Sequence, residues 1–185
     1  MNIHLIQSSS NSIASIYILK DFLYSKEYLE SLTKLVYEET LKSAKENLVN
    51  VQATCTDWGR LLEIEEMKSF HVRILHTLNN IYKLRATAPD APVEFTMTSS
   101  WGMVHKKGDY SNEHTHIPVA WSGAFYFDVP SKTTMTFPDF GKSLELESNM
   151  LVLFPGTTKH GVSEYLGDKE RISMAFNIIW DEKND

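Results

Sequence analysis

The sequence predicts an α+β chain, a jelly roll over residues 93–180 with N-terminal helices packed on the outer face of one of its sheets. Three observations carry this. Between residues 26 and 86, apolar residues recur at helical spacing. After Pro92, short alternating runs separated by Gly, Pro, Asn and Asp take over. No repeat, low-complexity tract or flexible linker divides the chain, so residues 1–185 are expected to form one domain, with 1–92 supporting the 93–180 core.

The elements follow in order. "IASIYILK", residues 13–20, is rich in β-branched and aromatic residues and reads as a strand. Ser25 is an N-cap candidate for a helix over 26–48, where Leu29, Leu32, Leu35 and Val36 share a face. Residues 49–60 read as irregular. A second helix is expected over 61–86, with Ile64, Met67, Val72, Ile74 and Leu75 among its apolar positions. "TAPDAPV", residues 87–93, is a breaker. Seven strands are then expected: 94–104, 121–129, 133–138, 143–147, 150–154, 160–166 and 171–180.

Bulk composition narrows the function. The formal charge is −6, and no dense Lys/Arg run appears, which argues against a duplex nucleic-acid binder. No apolar run approaches the roughly 18 residues that span a bilayer, and no secretory signal is visible, so no membrane partner is expected. The lone cysteine, Cys55, fits a reducing compartment, and the expected location is cytoplasmic.

The chemistry-bearing residues form two groups. In "EHTHIPVAWSGAFYFDVP", residues 113–130, His114 and His116 stand one residue apart at the mouth of an alternating apolar run. In "MLVLFPGTTKHGVSEYLGDKERISMAFNI", His160 follows a Pro155-Gly156 turn, and Arg171 and Ser173 come later. Residues two apart on a strand share a face. Arg171, Ser173 and Asn177 are therefore expected on one face, with Ile172, Met174, Phe176 and Ile178 turned to the helices. Neutral imidazoles suit a first-row metal ion. Trp101 and Trp121 read as core residues, and His105 as a solvated loop residue. Glu113 alternates away from His114, while Asp109 lies in the loop before the pair and is an alternative carboxylate ligand to His116.

The order H-x-H, distal His after Pro-Gly, then R-x-S resembles the Fe(II)/2-oxoglutarate-dependent oxygenases. The resemblance is closest to the bacterial and phage 2OG-Fe(II) oxygenases that carry H-x-H. It rests on Trp101, "HTHIP", "SGAFYF" and "RISMAFN", covers residues 95–180, and reaches the helices only in outline. It implies a double-stranded β-helix with Fe(II) on His114, His116 and His160. It implies 2-oxoglutarate as cosubstrate, held at its distal carboxylate by Arg171 and Ser173 with help from Tyr126, and O2 as oxidant. The activity implied is a dioxygenase, most simply a hydroxylase, acting on a further substrate. The superfamily usually has Asp where this chain has His116, so one first-shell negative charge is absent.

Two other readings compete. "GDYSNEHTH" places H-x-H five residues after a glycine, as in cupins, and "FPG" precedes His160. The acid that a cupin carries soon after H-x-H is missing from residues 117–121, and a cupin leaves Arg171 and Ser173 without a role. A non-enzymatic jelly roll with structural zinc needs a fourth protein ligand, which the sequence does not supply near the histidines.

Overall fold

The Ser25 hydroxyl accepts a hydrogen bond from the Tyr28 amide at 3.1 Å, the N-cap that starts helix α1, Lys26–Ser43. The structure is a computed structural model and describes residues 2–7, 15–43, 45–48, 50–85 and 94–181. The breaker at 87–93 lies outside the described residues. Two strands, β1 (Asn2–Gln7) and β2 (Ser15–Lys20), precede α1 and pair antiparallel.

Helix α1 stops short of the expected residue 48. β3 (Lys45–Leu48), where the end of the helix was expected, and β4 (Val51–Cys55), in the stretch expected to be irregular, form a ladder instead. The cause is a short alternation, Val51, Ala53, Cys55, which packs against Trp101, Met103 and Ala175. A 3₁₀ turn, Arg60–Glu63, leads into helix α2, Glu65–Arg85. No helix among the described residues is long and apolar enough to cross a membrane.

The remaining strands are β5 (Glu94–His105), β6 (Tyr110–His114), β7 (Trp121–Asp128), β8 (Thr134–Phe137), β9 (Lys142–Glu145), β10 (Met150–Pro155), β11 (His160–Val162) and β12 (Arg171–Asp181). β6 was not expected, because "YSNEH" has no apolar alternation. β11 is shorter than expected. Beyond it, Tyr165 is bound to the 106–109 loop: its amide donates to the Asp109 carbonyl at 2.7 Å, and the Gly108 amide donates to its carbonyl at 2.8 Å.

The strand order is β1-β2-β10-β7-β12-β5-β4-β6-β11-β8-β9, with β3 on β4, and the pairings are antiparallel. This long sheet folds over on itself. Ile18, Ala124, Tyr126, Val152 and Phe154 from one half pack in a single cluster with Met135, Phe137 and Val162 from the other. Two facing halves with a filled interior make a jelly roll.

The outer face of the larger half carries the helices. Ile172, Met174, Phe176 and Ile178 of β12 join Phe125, Leu151 and Leu153 against Leu32, Val36, Phe70, Ile74 and Leu78 of the helices. The alternation expected for β12 is the one observed. Phe70 is the hub, with its ring 4.9 Å from Phe125 and 5.8 Å from Phe127. Burying such a side chain stabilises by roughly 1.5–3 kcal/mol. Gly123 belongs to this layer. A Cβ there would lie 2.5 Å from the Val152 carbonyl oxygen and 2.6 Å from the Phe176 ring, so the glycine in "SGAFYF" sets the close approach of β7 to its neighbours. The helices thereby hold β12 and β7 rigid, and the opposite face of those strands is free to carry chemistry.

Candidate active site

His114 is the last residue of β6 and His160 the first of β11, and the two lie directly opposite in that ladder. The H-x-H pair therefore closes the strand before it rather than opening the one after. His116 sits in the following loop. Its amide donates to the Gly156 carbonyl at 2.8 Å, and its carbonyl accepts from the Val119 amide at 2.9 Å. The Pro155-Gly156 turn thus fixes His116 from the side of β10.

The nearest ligand atoms of His114, His116 and His160 all lie within 4.8 Å of one another. Among the described residues this is the sole such cluster of His, Cys, Asp or Glu. Nδ1–H of His160 donates to the Thr158 carbonyl at 3.0 Å, and Nδ1–H of His114 to the Asn112 carbonyl at 2.7 Å. Those bonds fix the tautomer and leave each Nε2 lone pair available to a metal. Burial, with the charge of His114 next, lowers His160 to about 3 and His116 to about 4. Both are neutral at physiological pH, which is the ligand form. The carboxylate alternatives are engaged elsewhere: Asp109 accepts the Lys106 amide at 2.7 Å, and Glu113 pairs with Lys159 at 3.1 Å.

A second group lines the inner face of β12, β5 and β7. Arg171 is 1% exposed. Its Nη1 donates to Thr133 Oγ1 at 3.0 Å, and its guanidinium carbon stands 5.5 Å from the Tyr165 ring centroid. No carboxylate forms an ion pair with it among the described residues. Ser173 is fully buried with no partner for its hydroxyl. Tyr126 lies opposite Ser173 across the β7–β12 ladder, and burial pushes its phenol up to about 12 against the pull of Arg171. Its hydroxyl approaches Met135 Sδ at 3.8 Å.

His105 corrects the sequence reading. It is buried, not solvated, and lies opposite Arg171 across the β5–β12 ladder. Neither ring nitrogen has a partner. Burial, then the Arg171 charge, hold it well below its ordinary range, so it is neutral. Trp101, Met103 and His105 alternate onto one face of β5, and extending the strand one residue past Val104 would have found it. Trp101 is buried as expected, yet it also lines a cavity of about 420 Å³ beside His114 and His116. Trp58, in the turn after β4, lines the same cavity and carries no periodicity signal. Trp121 packs on Tyr17, as a core residue should.

Eight buried polar side-chain atoms lack a partner among the described residues. All but Arg73 Nε belong to Trp101, His105, Arg171, Ser173 and Asn177 on this inner face, or to Thr158 beside His160. Buried polar groups in proteins are normally satisfied. A buried guanidinium with no directly paired acid, ringed by unsatisfied groups, suits an acceptor-rich anion such as a carboxylate.

No family model matches the sequence, and no curated protein sequence does either. Solved structures do. A viral collagen prolyl hydroxylase from Paramecium Bursaria Chlorella virus-1, solved as a 2OG complex, is 14% identical with a TM-score of 0.63 over 88% of this chain and 94% of that one. A prolyl-4-hydroxylase from Pseudomonas putida is 13% identical with a TM-score of 0.64, covering 89% and 92%. HygX from Streptomyces hygroscopicus, with nickel and 2-oxoglutarate bound, is 10% identical with a TM-score of 0.59, covering 88% and 82%. The chain has the fold of the 2OG-Fe(II) oxygenases.

The depressed histidines set an acid limit on the metal-free protein. His71, 3.1 Å from Ser100 Oγ, is also lowered by burial, to about 4. Unfolded, all three titrate near 6.5. Between that pH and the native values the unfolded state binds more protons. Stability is therefore full above pH 6.5 and falls as pH drops, by up to about 1.4 kcal/mol per pH unit for each histidine. Urea melts in chelator at pH 7.5, 6.0 and 5.0 should show this loss, and equal midpoints would contradict the burial.

Proposed function

We propose that this chain is an Fe(II)- and 2-oxoglutarate-dependent dioxygenase, and that it hydroxylates a further substrate. The observation that carries the reading is one histidine triad together with one buried Arg171 that has no carboxylate at ion-pair distance among the described residues. His114, His116 and His160 would hold the metal. Three imidazole ligands fit Fe(II) and leave coordination positions open. Arg171 would hold the distal carboxylate of 2-oxoglutarate through a charge-assisted fork, and Ser173 would add one hydrogen bond. Tyr126, its phenol kept protonated, would donate a further one. When both are bound, iron and cosubstrate supply oxidation by O2, with 2-oxoglutarate decarboxylated to succinate.

The protein's own contribution is placement and dryness. The Thr158 and Asn112 carbonyls orient two of the imidazoles. Met135, Phe137, Phe154 and Val162 keep water from the interior beside them. A cupin-like metal site gives Arg171 and Ser173 no such task. With Mn(II) as an inert stand-in metal, 2-oxoglutarate at 100 times its Kd should stabilise the protein by about 2.7 kcal/mol. Succinate, without the 2-oxo acid end, should do less. Equal melting temperatures with and without 2-oxoglutarate would defeat the reading.

His105 belongs to this group by position. As a neutral N–H donor beside Arg171 it would complete the carboxylate cradle. Hydrogen bonds to charged groups contribute roughly 1.5–3 kcal/mol. His105→Leu should therefore weaken 2-oxoglutarate binding about tenfold or more, whereas His105→Gln, which keeps an N–H, should hold most of the affinity. Calorimetric titration of the Mn(II)-loaded variants measures both, and identical affinities would remove His105 from the cradle.

A further inference from the structure

The cavity beside His114 and His116 has its own chemistry. At about 420 Å³ it falls within the range of small-molecule sites. Apart from the two histidines, none of its lining residues is ionisable. Trp58 forms part of its rim and is 55% exposed. Its backbone is fixed, because its carbonyl accepts the Ser100 amide at 2.7 Å. Its ring lies 6.1 Å from Trp101, and Trp101 lies 6.3 Å from His116, so aromatic surface runs unbroken from rim to triad. Ile117, 67% exposed, is apolar surface on the same lining. Two of the lining residues also carry a buried polar atom without a partner behind the cavity surface: Trp101 Nε1, a donor, and Asn177 Oδ1, an acceptor.

We propose that this cavity takes an uncharged, ring-bearing part of the substrate, seated on Trp58 with its reactive carbon toward the triad. The inference rests on the oxygenase reading and adds the substrate class to it. A charged group would be desolvated here without a counter-charge, which is costly. A flat ring gains by contact with Trp58 and Trp101.

Proton relaxation by bound Mn(II) tests this, because it reports only molecules close to the metal. The probes are benzamide, benzoate, benzylamine and the ring-free acetamide, each titrated onto protein loaded with Mn(II) and 2-oxoglutarate. Mn(II), the two carboxylates of the cosubstrate and Arg171 together leave one positive charge, which favours benzoate, so weaker binding of benzoate than of benzamide is the stringent comparison. Benzamide should show saturable relaxation, and the other three should need at least about tenfold more ligand, equivalent to 1.4 kcal/mol. Trp58→Ala should weaken benzamide about tenfold, and Trp58→Phe, which keeps a ring, should recover most of it. Relaxed 2-oxoglutarate protons with unrelaxed benzamide, equal binding of the charged probes, or unchanged benzamide affinity in Trp58→Ala would each overturn this inference alone. Failure of Mn(II) to relax 2-oxoglutarate protons would overturn the oxygenase reading beneath it.

Discussion

Arg171→Ala is expected to weaken 2-oxoglutarate binding by roughly 2–5 kcal/mol, about 30- to 5,000-fold, while leaving metal affinity nearly unchanged. The reason is the environment of the guanidinium. It is buried opposite His105, bonded to Thr133, and has no carboxylate at ion-pair distance among the described residues, Asp109 acting on it only from further away. Its positive charge is thus without a direct partner until an anion arrives. The same fact predicts an opposite effect on stability. Removing a buried charge that lacks an acid partner relieves a desolvation cost, so metal-free Arg171→Ala should melt no lower than wild type, apart from the cavity left by the side chain. Arg171→Lys keeps the charge without the fork and should fall between. A surface ion-pair arginine would give neither pattern. Calorimetric titration of 2-oxoglutarate onto the three Mn(II)-loaded proteins, with thermal melts of each, checks both arms.

His160→Ala should lower metal affinity by at least about 100-fold, beyond the effect of losing a second-shell partner, and abolish turnover. His160 is not a rim residue. It is 5% exposed, and its ring centroid lies 4.4 Å from that of Phe154 and 4.5 Å from that of His114, both tilted. The alanine variant will therefore also lose some packing, on the order of 1–3 kcal/mol. His160→Gln fills most of that space without an imidazole. Folded His160→Gln that fails to retain Mn(II) or Fe(II) is the expected result, and wild-type metal affinity in that variant would remove His160 from the centre.

The inward placement of Arg171 is legible because it lies where a sequence pattern is strict, whereas the clustering of His114, His116 and His160 is legible only through the resemblance. On β12 the period of two separates Arg171 and Ser173 from Ile172 and Met174 without ambiguity, and the structure keeps that separation. The Pro155-Gly156 turn marks where β10 ends and where His116 is bound. What sequence reasoning missed lacked a local signal. β6 is "YSNEH", polar throughout, and exists because β4 and β11 flank it. β4 is a three-residue alternation inside a polar stretch, and its pairs with β5 and β6 join residues at least 48 apart in the chain. Tertiary pairing, not propensity, makes both strands. His105 was misplaced by one strand residue, and that single residue moves it from solvent to a position facing Arg171. Trp58 reaches the cavity from a turn, where no period applies.

Succinate formed from 2-oxoglutarate with Fe(II) and O2 tests the proposed reaction most directly. Wild-type protein should release succinate even without its substrate, slowly, and faster once a productive ring-bearing substrate is supplied. His160→Ala and Arg171→Ala should release none above the protein-free background at cosubstrate levels that saturate wild type. Wild-type protein that binds Fe(II) and 2-oxoglutarate yet forms no succinate under any of these conditions would contradict the dioxygenase assignment.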